Sequence, residues 1–83
     1  MAEELVGEVS HWFGNIGVAG IKLSGDLAVG DRIHIIGHTT DFEQAITSMQ
    51  LDNQDVDEAS AGDEIGVKLE ARGRPGDDVF KVV

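Results

Sequence analysis

The chain has 83 residues, the size of one small domain, and its 16 acidic against 6 basic side chains give a net charge of −10. This charge excludes duplex DNA as a partner, because duplex binders neutralise phosphates with clustered Lys and Arg. The absence of cysteine excludes a disulfide scaffold and any thiolate site. Neither a signal-peptide pattern nor an apolar run of transmembrane length is present, so we expect a cytoplasmic protein without membrane contact.

The hydrophobic content is rich in Val and Ile, and the 11 glycines suit many tight turns, so the composition favours an all-β fold. No linker or low-complexity segment divides residues 1–83, which predicts a single domain. Five segments have the pattern of strands: 5–13, 16–23, 32–36, 65–69 and 78–83. Residues 27–29 lead into the turn at Gly30-Asp31.

Residues 40–51 are ambiguous from local pattern. Phe42, Ala45, Ile46 and Met49 have helical spacing, and Thr40-x-x-Glu43 resembles a capping box, so the local pattern favours a helix. As a strand, the same segment would need a bulge to bring its apolar side chains to one face.

A short pattern, G-D-x-[I/V], occurs three times, each time directly before a predicted strand. We expect each glycine to supply a positive φ and each aspartate to bind backbone N–H groups two residues on. Three such turns favour a small closed antiparallel barrel over a sandwich. The structural turn residues are Gly30, Asp31, Gly62, Asp63, Gly76 and Asp77.

Several motifs, in the same order, resemble the second domain of elongation factor Tu-type translational GTPases over about residues 6–83. They are V-G-E-V at 6–9, G-V-A-G-I at 17–21, L-A-V-G-D-R-I-H-I-I-G at 27–37 and A-S-A-G-D-E-I-G-V at 59–67. The segments G-H-T-T-D-F at 37–42 and S-M-Q at 48–50 resemble short stand-alone elongation factor-like proteins. The chain is also similar to the C-terminal barrel of U32-type peptidases.

This resemblance implies an all-β fold, a small closed antiparallel β-barrel of six to seven strands spanning about residues 5–83. It also implies that residues 40–51 form a strand, against the local helical pattern. No G-x-x-x-x-G-K-[ST] loop is present, so we expect no nucleotide or other cofactor to bind the chain by itself.

We do not expect an enzyme or a metal site. His11, His34 and His38 are not clustered in the sequence, and no G-x-S-x-G elbow supports a Ser-His-Asp set built from Ser10 or Ser48. The prediction is therefore a non-enzymatic binding module.

In the elongation factors this barrel helps to hold the aminoacylated 3′ end of tRNA with a glutamate and a nearby arginine. The resemblance places Gln50 at the glutamate and Asn53 at the arginine. Both side chains could contact a base or ribose, but neither has the charge of its counterpart.

Other candidate contacts come from the residues themselves. Neighbouring strand residues face opposite sides, so one of Trp12 and Phe13 could be exposed for a base or a partner, or could plug a barrel end. His38, Thr39, Thr40 and Asp41 form either a ligand-facing loop or a turn capped by its own side chains.

Arg72 and Arg74, with Lys68 and Lys81 nearby, form the one basic region that could meet a phosphate, or are scattered surface charges. The acidic residues of 52–64 form either a solvated loop or a docking patch for a basic protein. Two functions remain open: a module that contacts tRNA or other RNA, and an acidic adaptor that binds a basic partner protein.

Overall fold

A computed structural model describes residues 2–83, which form ten strands joined by turns. The described residues contain no helix, and hence none long and apolar enough to cross a membrane. The strands are β1 Glu3–Phe13, β2 Val18–Leu23, β3 Leu27–Ala28, β4 Arg32–Ile36, β5 Asp41–Ala45, β6 Met49–Leu51, β7 Gln54–Val56, β8 Glu58–Ala59, β9 Glu64–Lys68 and β10 Asp78–Val82.

Eight strands form one antiparallel sheet in the order β5-β4-β10-β1-β2-β9-β6-β7, and β3 pairs separately with β8. The all-β prediction is confirmed. Strand pairing among residues 2–83 does not close the sheet into a ring, because β5 and β7 lie at its two ends. Two strands, β7 and β8, lie in the acidic segment that the sequence pattern left as a loop.

The long strand β1 curves the sheet. Its register shifts between Leu5 and Gly7 against β10, and again between Val9 and His11 against β2. Each bulge bends the strand and increases its local twist, so β1 pairs with both β10 and β2 in a curved sheet. The inward side chains of the sheet form one core, whose largest fully buried members are Val6, Val9, Ile21, Leu27, Ile33, Ile35, Ile46, Met49, Ile65, Val67 and Val79.

Residues 40–51 form two strands, β5 and β6, rather than a helix, so the local helical pattern was wrong and the strand implied by the resemblance is confirmed. Phe42, Gln44 and Ile46 alternate inward, while Glu43 and Ala45 are exposed. Gln44 is polar but points inward. A pattern of apolar residues therefore does not show the alternation of period two that is typical of a strand.

Gln44 is inward because its amide links strands that do not pair. It is 3% exposed; its Nε2 donates to the Lys68 carbonyl oxygen at 2.9 Å, and its Oε1 accepts from the Glu70 N–H at 2.6 Å. One side chain thus satisfies two backbone groups at the end of β9 from the edge strand β5.

The three G-D turns share one geometry. The φ angles are 98° at Gly30, 93° at Gly62 and 94° at Gly76, which L side chains rarely adopt. In each turn the aspartate Oδ2 accepts from the backbone N–H three residues earlier, at 2.9 to 3.0 Å. The N–H group that the aspartate binds thus precedes it in the chain, whereas the sequence pattern predicted an N–H group two residues after it.

Candidate functional site

A groove of about 410 Å³ lies on the outer face of the sheet, beside the β1–β2 and β6–β7 hairpins. One row of the sheet crosses it, because His11 pairs with Gly20, Gly20 with Gly66, and Gly66 with Gln50. The two central positions are glycines, so side chains rise from the sheet only at the two ends of this row, at His11 and Gln50. The lining residues are His11, Phe13, Ile16, Val18, Gly20, Gln50, Asp52, Asn53, Glu64, Ile65 and Gly66. We call this the glycine-floored groove.

One wall of the groove is aromatic and apolar. The His11 and Phe13 rings stack with centroids 6.0 Å apart and planes 15° from parallel. Phe13 is 47% exposed and Ile16, in the turn that follows, is 59% exposed. Large apolar side chains that stay this exposed next to a concavity are typical of binding surfaces.

The bulge in β1 explains why Phe13 faces outward. The register against β2 shifts between Val9 and His11, after which His11 and Phe13 lie on the outer face. Trp12 points the other way and packs, partly buried, against the core. Sequence pattern required the two aromatic neighbours to face opposite sides, but only the bulge decides which of them is exposed.

The opposite wall comes from the β6–β7 hairpin. Gln50 Nε2 donates to Asp55 Oδ1 at 3.2 Å, which holds the amide beside the glycine floor. Asp52 and Asn53 form the turn with φ angles of 53° and 64°, a conformation that Asp and Asn adopt more readily than other side chains. The structure therefore brings together Gln50 and Asn53, and Asn53 also has a role in the turn.

A polar cluster borders the floor. Ser10 Oγ lies 2.8 Å from Glu64 Oε2 and 3.1 Å from the Gly20 carbonyl oxygen, while His11 Nδ1 lies 3.3 Å from the same hydroxyl. The carboxylate meets the serine rather than the histidine, so it does not orient the imidazole as a general base. The cluster instead fixes the position of the Glu64 carboxylate.

The loop that the sequence singled out at residues 38–41 lies elsewhere, between β4 and β5. The Gly37 N–H donates to the Thr40 carbonyl oxygen at 2.7 Å, which closes a tight turn. His38 and Thr39 are exposed at its tip, and Thr40 is buried. Asp41 contacts His34, so none of these four residues lines the groove.

Arg72 and Arg74 are exposed in the segment between β9 and β10 and also lie outside the groove lining. The Arg74 backbone N–H donates to Asp77 Oδ2 at 2.9 Å, so this residue has a structural place in the third G-D turn. Among the lining residues there is no Lys or Arg, and the two charged ones, Asp52 and Glu64, are acidic.

A second cluster surrounds His34 on β4. Its Nδ1 lies 2.7 Å from Glu3 Oε2 and its Nε2 lies 2.6 Å from Asp41 Oδ1. The hydrogen bonds that the ring donates to the Asp41 carboxylate and, to a smaller extent, to the Glu3 carboxylate raise the pKa of His34 above its ordinary value. Both bonds are made when the ring is protonated, because both nitrogens then donate.

The same cluster has the closest approach to a metal-ligand set among residues 2–83. Ligand atoms of Glu3, His34 and Glu43 lie within 4.8 Å of one another. The arrangement suits an ion poorly, because both ring nitrogens already face carboxylates and Glu43 Oε1 accepts from Arg32 Nε at 3.0 Å. An imidazole that donates at both nitrogens offers no lone pair to a metal.

Among the groove-lining side chains, sequence reasoning did not select His11 or Ile16 for a partner contact. Phe13 was one of two aromatic alternatives, and Glu64 was included only within the acidic stretch of residues 52–64. The sequence carried no signal that Glu64 lies near His11 and Gln50, because that proximity depends on strand pairing.

No protein-family model matches the sequence. Among curated proteins, the chain is 42% identical over 76 residues to an uncharacterised protease from Methanocaldococcus jannaschii, covering 90% of this chain and 19% of that protein. It is 32% identical over 78 residues to a collagenase from Porphyromonas gingivalis, covering 92% of this chain and 22% of the collagenase. The chain thus spans about a fifth of the length of the curated relatives it matches.

Solved structures match the fold over nearly the whole chain. The C-terminal domain of a Geobacillus thermoleovorans protein assigned to the U32 peptidases superposes with a TM-score of 0.90 at 19% identity, covering 96% of this chain and 93% of that domain. Its selenomethionine variant gives a TM-score of 0.87, covering 92% and 96%. The chain therefore has the fold of that C-terminal domain. The likeness to elongation factors stays a prediction.

Proposed function

We propose that this chain, as a relative of the U32 peptidase C-terminal domain, is a non-catalytic binding domain that holds a protein partner in the glycine-floored groove. The observation that supports it best is the exposed aromatic wall beside that groove, where Phe13 is 47% and Ile16 59% exposed. Covering these side chains removes apolar surface from water and favours association.

Within longer relatives, a domain of this kind would act by positioning a bound segment relative to the rest of the protein. It would hold a segment of a substrate or of an accessory protein while the remaining four-fifths of the chain performs the chemistry. The rigid sheet suits that role, because the groove floor is strand backbone and the second wall is a two-residue hairpin turn.

Charge favours a protein over RNA as the partner. The chain has a net charge of −10, and the groove itself has two carboxylates and no cation among its lining residues. A phosphate in this groove would meet two carboxylates and no cation among the lining residues, whereas basic protein surfaces would be attracted.

Contact with tRNA or other RNA is the second candidate. One observation favours it: Gln50 and Asn53, the two positions suggested by the elongation-factor resemblance, line the same groove as the exposed ring of Phe13. A terminal base could stack on that ring and bond to the amides. Of the two aromatic candidates, Trp12 packs against the core, so Phe13 is the ring on which a base could stack.

Selection of short random peptides on the immobilised chain tests the first candidate. We expect peptides that are retained by the parent chain and lost on Phe13→Ala, but retained on Leu5→Ala, a control that removes an equally exposed apolar side chain outside the groove. Failure to enrich any peptide that depends on Phe13 would overturn the proposal.

An amide NMR titration with deacylated and aminoacylated tRNA, at low and moderate salt, tests the second candidate. Shifts confined to Gln50, Asn53 and the β1–β2 hairpin would support RNA contact in the groove. Unchanged spectra at high tRNA excess and low salt would exclude it.

A further inference from the structure

We infer that the segment held in the glycine-floored groove presents an Arg or Lys side chain to the Phe13 ring and to the carboxylates of Asp52 and Glu64. This inference rests on the proposed function, and it specifies the chemistry of the partner: an extended basic peptide rather than an apolar or acidic one. Three independent features of the groove support it.

The first feature is the exposed aromatic ring. Phe13 stacks side by side with His11, with nearly parallel planes, and retains 47% of its surface in water. A cation placed over an aromatic face is attracted by the negative charge density of the ring, and the aliphatic stem of Arg or Lys covers the remaining apolar surface. Ile16 extends that apolar surface at the hairpin tip.

The second feature is a pair of carboxylates that form no ion pair in the described part of the chain, although Lys22 is the cross-strand neighbour of Glu64. Neither Asp52 nor Glu64 takes part in any of the ion pairs formed within residues 2–83. The Ser10 hydroxyl lies 2.8 Å from Glu64 Oε2, and the turn backbone places Asp52 at the edge of the groove. The Glu64 carboxylate is therefore positioned before a ligand arrives, which reduces the entropy lost on binding a cation.

The third feature is the floor. A Cβ built on Gly66 would meet only Val18 Cγ1, at 3.4 Å, which is an ordinary contact, so the floor is least covered at Gly66. At Gly20, its cross-strand neighbour, Ser10 Oγ and His11 Cβ lie 3.3 and 3.4 Å from a Cβ built there, so these two side chains border the floor. An extended peptide can approach the sheet closely over Gly66, which allows its basic side chain to reach the ring while its backbone lies across the floor.

The test uses a blocked Gly-Gly-Arg-Gly-Gly peptide and the same peptide with citrulline, a neutral side chain of the same shape. Binding is followed by amide NMR shifts of the labelled chain. We expect the arginine peptide to shift residues of the groove and the citrulline peptide to bind at least about tenfold more weakly, as for the loss of a charge-assisted pair. Added salt should weaken the arginine peptide selectively.

Three variants locate the interaction. Phe13→Ala and Glu64→Gln should each weaken the arginine peptide by about three- to tenfold, the range of a single cation–π or ionic contact. Glu8→Gln should leave binding unchanged, since Glu8 is an exposed carboxylate on the same strand that lies outside the groove. Unchanged backbone spectra of the free variants confirm that each remains folded.

The outcomes separate this inference from the proposed function. Two results would overturn the inference that the groove binds a cation, but not the proposal that the chain is a binding domain. They are equal binding of the arginine and citrulline peptides, and selected peptides that require Phe13 but lack basic residues. Failure of every peptide to bind would overturn both. A tRNA that binds the groove while the arginine peptide does not would overturn the inference in favour of RNA.

Discussion

His34 shows how one side chain can connect three strands of this fold. It lies on β4 and is hydrogen-bonded to Glu3 of β1 and to Asp41 of β5. Its side chain is 16% exposed, so the two charge-assisted bonds are partly shielded from water and salt. Protonation of this ring therefore favours the folded state.

The sign of the pH dependence follows from the raised pKa of His34. A proton bound more tightly in the folded chain contributes stability that is complete below the unfolded value of 6.5 and is lost as pH rises through the folded value. We expect the difference in urea midpoint between the parent and His34→Gln to shrink across that window. Unfolding curves at several pH values measure it, with His38→Gln as the exposed control.

An NMR titration of the imidazoles provides a second readout. A His34 transition above pH 6.5 that coincides with the loss of stability would support the assignment. Parallel pH profiles for the parent and His34→Gln would contradict it.

At the scale of residues, the sequence can point to side chains that lie close together along the chain, but not to those that strand pairing brings together. Gln50 and Asn53, the two positions that the elongation-factor resemblance singled out for tRNA contact, both line the groove because they sit on one short hairpin. Their role in binding stays a prediction. Glu64 and Phe13 join them only because β9 pairs with β2 and a bulge turns the end of β1 outward. Neither pairing nor bulge has a local signal.

The G-D turns are the element that recurs most regularly. Gly30 and Gly62 have φ angles of 98° and 93°, and no atom lies within 4 Å of a Cβ built on either. Replacement by alanine therefore introduces backbone strain without a steric clash, which isolates the cost of the positive φ.

We expect Gly30→Ala and Gly62→Ala each to lower the free energy of unfolding by about 1–2 kcal/mol, the cost of placing an L side chain in the left-handed region. Urea unfolding measures the loss. A synthetic chain with D-alanine at position 62 should recover it, since D residues favour positive φ. Equal destabilisation by L- and D-alanine would show that something other than φ is responsible.

The Gln44 side chain connects β5 to the end of β9, two strands that do not pair with each other. Its amide satisfies the Lys68 carbonyl and the Glu70 N–H, and the side chain is buried. We expect Gln44→Leu to lower the free energy of unfolding by about 1–3 kcal/mol for each backbone group left without a partner and shielded from water. Gln54→Leu, an exposed position on β7, should change it by less than about 0.5 kcal/mol. A Gln44→Leu chain as stable as its parent would contradict this role.

The segment around Gln44 also shows what limits prediction of elements. A count of apolar residues favours a helix over residues 40–51 because the inward series Phe42, Gln44, Ile46 is interrupted by an amide. Its period of two becomes visible only once the partners of that amide are known. The resemblance to known barrels corrected the prediction without giving the reason for it.

At the scale of the whole molecule, charge is the dominant quantity. A net charge of −10 is confined to a body of 29 × 29 × 20 Å, and self-repulsion opposes this compact state. We expect the urea midpoint to rise when NaCl increases from about 10 to about 200 mM, because the Debye length shrinks from roughly 30 Å to under 10 Å.

A variant with less charge provides the matched control. Asp57→Lys with Glu58→Lys, both exposed and outside the groove, brings the net charge to −6 and should reduce the salt response. A midpoint that falls with salt would mean that local pairs such as Arg32–Glu43 outweigh the overall repulsion.

The amide of Gln44 has a consequence for how the molecule opens. Between β5 and the end of β9 a single side chain connects the backbone, whereas other neighbours in the sheet share ladders of several hydrogen bonds. We call this line the seam, and we expect it to open at a lower free energy than global unfolding. The Glu70 amide should therefore exchange its hydrogen with solvent through a local fluctuation, whereas the amides of β2 should exchange only when the whole chain unfolds. We expect proteases to cleave the native chain first at the seam.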